Sequence, residues 1–280
     1  MRSRLLLNLG LLCLVLVLVL IAVYQPGRAP PAEPARLTKA SEESIQLIRI
    51  IRKHQDDIVL RKEGHQWWME EPITARADDY RTSSILGILD AESEVRLDAN
   101  QTDRARFKLD DPRIQLALGE LIFAFGNANP LSQQRYVLFN DTIYLTDDRI
   151  YHHLIADAAN FVSPQLLPID ARLTAIQLPA HQLQWLDGAW SVTPEAPDIS
   201  MDAVLQRVDA WRMAKALFVR RYQEDTPLGP VRLTTEQGQS FSFAIMATSP
   251  TLILARPELG IQYHFSEAAT KDLLTLDDAP

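Results

Sequence analysis

The sequence predicts an α+β protein: an N-terminal transmembrane helix followed by two tandem copies of a mainly antiparallel sheet unit with one principal helix each. Three observations carry that expectation. Residues 5–23 form a charge-free apolar run. Beyond it, short alternating segments bounded by turn residues dominate. The order of three strands ending on a tryptophan, a proline, a helix, then a strand and a four-strand series occurs twice, with Trp68 and Trp190 122 positions apart.

The run LLLNLGLLCLVLVLVLIAV spans nineteen residues. At a helical rise of about 1.5 Å per residue it reaches about 29 Å, close to the ~30 Å of a bilayer's hydrocarbon core. It is longer than a cleavable signal's apolar region. The nearest small-x-small triplet, Gly27-Arg28-Ala29, is followed by Pro30, which obstructs cleavage. Cys13 lies mid-run behind Leu12, not behind a small residue at the run's end as lipidation requires. A head of residues 1–4 carrying Arg2 and Arg4 is retained in the cytoplasm, which makes residues 5–24 a signal anchor and places the long body outside, in the periplasm of a bacterium. Residues 25–36 open with QPGRAPPAEPA, a semi-stiff spacer that holds the body off the bilayer.

Excluding the first 36 residues, 24 Lys and Arg stand against 35 Asp and Glu, a net charge of −11. That balance excludes a nucleic-acid partner and a basic patch on anionic lipid. The only cysteine lies in the apolar run, so the body is expected to fold on its hydrophobic core without disulfides.

The first repeat is expected over residues 37–165, with strands at 44–52, 58–61 and 67–70, a helix at 77–91, a strand at 94–97, and strands at 114–118, 121–125, 135–139 and 142–146. The second, over residues 166–280, repeats the order at 173–178, 182–186 and 190–193, a helix at 201–214, a strand at 216–221, and strands at 231–235, 240–246, 251–255 and 262–265. Asp187-Gly188 is a hairpin turn. Met201, Val204, Leu205, Val208 and Trp211 follow the i, i+3, i+4, i+7 spacing of an amphipathic helix, and Ser200 is placed to cap it.

Trp68, Pro72, Ala77-Asp78, Leu109-Asp110-Asp111-Pro112 and Arg135-Tyr136-Val137 together resemble a known family, the uncharacterised membrane-anchored domain often encoded beside gliding-motility-type ABC transporter and auxiliary genes. Phe107-Lys108 stands where that family usually shows Tyr-Gly. The resemblance covers most of residues 37–274. It implies an extracytoplasmic accessory role and brings no catalytic residue with it.

His152-His153 invites a metal, but adjacent histidines on a helix diverge by about 100° and no His-x-His or HExxH spacing is present. The pairs Asp56-Asp57, Asp78-Asp79, Asp110-Asp111 and Asp147-Asp148 fall at turns and helix starts, where Asp accepts backbone N–H bonds. The sequence has no Gly-x-Ser-x-Gly elbow, no Ser-x-x-Lys dyad and no phosphate-cradling glycine loop. No catalytic residue, metal or cofactor is therefore expected. One of Trp67 and Trp68 must face outward, because strands alternate faces. With Arg220 and Arg221, the pair is the expected partner contact. Two functions are consistent with these residues. The favoured one is a single-pass accessory or scaffold protein of the bacterial inner membrane that binds a transporter or auxiliary subunit. The alternative is a periplasmic hydrolase or glycan-binding protein using an exposed tryptophan and paired carboxylates.

Overall fold

The computed structural model describes residues 10–20, 34–195 and 198–276. Residues 10–20 form helix α1, exposed along its whole length. No helix among the described residues is long and apolar enough to cross a membrane. The rest of the segment expected to span, residues 5–9 and 21–24, lies outside the described residues, as does most of the expected spacer. The spacer's last two residues, Ala35–Arg36, are a strand, β1.

The first unit continues with β2 (Leu47–Arg52), β3 (Ile58–Glu63), β4 (Gln66–Glu71) and β5 (Ala75–Arg76), then α2 (Asp79–Leu86). After β6 (Glu92–Ser93) and β7 (Arg96–Asp98) come β8 (Ile114–Leu118), β9 (Leu121–Ala128), β10 (Gln134–Phe139), β11 (Thr142–Asp147) and α3 (Arg149–Leu154). The second unit has β12 (Leu173–Gln177), β13 (Gln182–Leu186), β14 (Ala189–Thr193) and α4 (Met201–Arg212). It closes with β15 (Phe218–Arg221), β16 (Gly229–Thr235), β17 (Ser240–Ala247), β18 (Ile253–Arg256), β19 (Ile261–His264) and α5 (Ala268–Leu274).

Both large sheets are antiparallel throughout. Their orders are β5-β4-β3-β2-β8-β9-β10-β11-β7 and β14-β13-β12-β16-β17-β18-β19-β15. Leaving out the two-residue β5, the permutation is the same: a three-strand meander, a helix, one strand that crosses to the far edge, then a four-strand meander that fills the gap. Other details coincide. Asp78 Oδ1 accepts from Arg81 N at 3.0 Å to cap α2, and Ser200 Oγ accepts from Ala203 N at 3.2 Å to cap α4. Each unit opens on a segment paired to the stretch after its helix: β1 with β6 in the first, Gln165 with Lys215 in the second.

Burial follows the pleat. In β2, Ile48, Ile50 and Arg52 point inward while Arg49 and Ile51 are exposed. Trp67, not Trp68, is the inward tryptophan of β4, and its counterpart is Trp190, the second residue of β14. α2 buries Ile85 and Leu86, α4 buries Val204 and Trp211, and buried residues of both units join one hydrophobic cluster. A smaller core of Ala99, Leu109, Ala124 and Ile143 lies on the other face of the first sheet, under the long connection from β7 to β8. Phe107 and Tyr136 close it, with ring centroids 4.3 Å apart.

Candidate functional site

Where β2 ends and β8 begins, the first sheet opens into a cleft of about 990 Å³. Arg52 and Ile114 are register partners there, and Ile114 pairs in turn with Phe125. The turn after β2 supplies Lys53 and His54, the β7–β8 connection supplies Lys108, Asp110, Asp111 and Arg113, and Arg135, Tyr151 and Ile155 complete the wall. Five Lys or Arg thus face two Asp, on a body whose net charge is −11.

These cations differ in how they are held. Arg52 is 4 % exposed and donates to the carbonyls of Asp56 (Nε, 2.9 Å) and Ala156 (Nη1, 2.8 Å). Burial pulls its pKa below the usual arginine value, opposed by the nearby Asp157 and Asp56 carboxylates. Arg135 donates from Nε to Asp148 Oδ1 at 2.5 Å and from Nη1 to Gly126 O, and lies 3.5 Å over the centre of the Tyr151 ring. Lys53 forms an ion pair with Asp111, and that contact holds the Asp111 carboxyl below its ordinary range. Lys108 and Arg113 are exposed and have no carboxylate partner among the described residues. Asn127 Oδ1 is buried in the lining without a hydrogen-bond partner.

The cleft's wall depends on a close approach. A Cβ on Gly126 would sit 2.3 Å from the Phe107 carbonyl oxygen and 3.1 Å from the Leu109 side chain, so only glycine lets the connection lie against β9. At the end of the 3₁₀ turn Arg104–Phe107, Lys108 adopts a left-handed backbone, φ 56°.

The expected contact residues lie elsewhere. Trp67 is buried, Trp68 half-buried; Arg220 stacks over Phe218, and Arg221 pairs with Asp157 at 2.7 Å. Among the described residues no hydrogen bond, ion pair or ring contact joins the tryptophans to the two arginines. Trp68 is also far from the cleft carboxylates. Its row passes through Arg61 to Leu47, five residues along β2 from Arg52 and three strands across from β8, roughly 17 Å and 14 Å at ordinary strand spacings. The histidine pair diverges: His152 is exposed near Asp148, and His153 Nδ1 lies 3.4 Å from Arg81 Nη1. Among the described residues no group of three or more His, Cys, Asp or Glu is placed to hold a metal ion. The aspartate pairs serve caps and ion pairs: Asp57 accepts from Arg52 N, Asp78 caps α2, Asp147 binds Arg149 and Asp148 binds Arg135.

Fold and site together define an α+β protein of two large antiparallel sheets and a two-stranded one, with a cation-lined cleft in its first unit. The chain belongs to the family described as Domain of unknown function (DUF4340), whose sequence pattern matches residues 67–220. That match begins in β4 and ends in β15, so it straddles both units. No curated protein and no solved structure matches the chain.

Proposed function

We propose that this is a single-pass, membrane-anchored accessory or scaffold protein of the bacterial inner membrane, without an active site of its own. Its periplasmic body binds partner proteins, among them a transporter or auxiliary subunit of an ABC-type system. The observation that carries the reading is α1. Eleven consecutive residues without a charged side chain expose about half their surface on every side, from Leu11 at 63 % to Val15 at 49 %. In water each apolar Å² left open costs about 25 cal/mol, and a bilayer removes that cost while the helix satisfies its own backbone. The apolar sequence continues on both sides, over residues 5–23. The ABC-system partner is supported by the family resemblance. Descent of the two units from one duplicated unit is supported by their common strand order.

Irradiation of native membranes carrying the full chain with a photoreactive residue at Trp68 or Arg220 tests the partner. An adduct with a transport-system subunit is expected. Failure to form any membrane-protein adduct from either position, at normal expression, would overturn the reading.

A further inference from the structure

The two units share a strand order but differ most in one connection. Fifteen residues separate Asp98 from Ile114 in the first, and seven separate Arg221 from Gly229 in the second. The longer connection carries Arg104, Arg106, Lys108 and Arg113, is clamped by its own small core, and lies on β9 only because residue 126 is glycine. It forms a wall of the cleft. Lys108 occupies a left-handed position where glycine would be unstrained, and neither it nor Arg113 forms an ion pair among the described residues.

The shape of this charge distribution indicates its ligand. All three nitrogens of the buried Arg52 guanidinium and of the half-buried Arg135 guanidinium already donate to carbonyl or carboxylate oxygens, so these two do not form a free set of donors converging on a compact anion. The uncommitted charge is spread along the rim. Phe125, Ile114 and Ile155 offer apolar wall between the cations, and the unpartnered amide oxygen of Asn127 suits a backbone N–H. We propose that the cleft receives an acidic peptide segment of a partner protein, with carboxylates on Lys108 and Arg113 and apolar side chains between them. This rests on the partner-binding reading above.

The test uses the full chain in detergent micelles and a fluorescent oligoglutamate peptide followed by anisotropy. Binding at low salt that weakens steeply as salt is raised is expected. The double variant Lys108→Glu/Arg113→Glu should bind about tenfold more weakly or worse. Arg172→Glu, on the second unit, should bind as the parent does, and Lys108→Gly should weaken binding without loss of folding. Equal binding by the double variant overturns the proposal. So does binding of inorganic phosphate or phosphatidylglycerol vesicles in the cleft with none of oligoglutamate. Photocrosslinking separates this from the broader reading: a partner adduct that survives in the double variant keeps the accessory role and removes the cleft's part in it. Oligoglutamate binding without any membrane-protein adduct upholds the cleft's chemistry and removes the accessory role.

Discussion

At the scale of single residues, the cleft depends most on Gly126. Adding one methyl there drives a Cβ into the Phe107 carbonyl, and the obstruction is backbone that cannot swing away. Gly126→Ala is expected to cost about 1–3 kcal/mol, the usual range for overpacking, measured by urea denaturation. It should also loosen the β7–β8 connection in hydrogen exchange; unchanged stability would mean that the connection does not lie on β9. None of this was readable in the sequence, where Gly126 is one of ten glycines and the cleft cations come from three separated stretches, at 52–53, 108–113 and 135. The legible signal was a residue type out of place. Lys108 stands at a helix end where glycine is the usual choice, and four cations crowd the connection in which the two units differ most. Side-chain chemistry alone does not separate the expected contact residues Trp67, Trp68, Arg220 and Arg221, and burial does: Trp67 faces the core.

At the scale of elements, period and turn chemistry located most strands within two residues, and Ile114–Leu118 and Gln182–Leu186 at both ends. Alternation is a strong signal because one residue's slip turns a whole face outward. Helices were less legible. The expected helix over residues 77–91 is α2 followed by the 3₁₀ turn Gly87–Asp90, and short α3 and α5 lack a repeating apolar stripe long enough to be seen. What holds α5 is a tertiary contact invisible in the sequence. Trp211 Nε1, wholly buried in α4, donates to the Leu273 carbonyl at 2.8 Å, one of the last-turn oxygens an α-helix cannot satisfy itself. Trp211→Phe keeps a ring and removes the donor. A loss of about 1–3 kcal/mol is expected for leaving that buried oxygen unpaired, with faster hydrogen exchange confined first to α5. A change within about 0.5 kcal/mol would show that the bond does not matter to the helix pair.

At the scale of the whole molecule, each unit holds a half-buried histidine whose charged form is disfavoured. Burial lowers the pKa of His153, helped by Arg81, and burial lowers that of His264, helped by Arg220. The unfolded chain therefore binds more protons than the folded one below the ordinary value of 6.5. Stability should be full above that value and decline as pH falls through it toward the lowered folded values. Thermal midpoints across this window should show the decline, and His153→Gln should flatten it; an unchanged slope would assign the effect to other groups. The common strand order of the two sheets was legible across the same scale because the turn, tryptophan, proline and cap recur in order, even though their spacing shifts by a residue at Trp67. The cleft was not, because it belongs to what differs between the units. The central claim, that the doubled body works while tethered to a bilayer, is tested most directly by alkaline carbonate extraction of cell membranes. The full chain should stay in the membrane pellet and deletion of residues 5–24 should release it. Recovery of the intact gene's product as a soluble, amino-terminally trimmed protein would contradict the account.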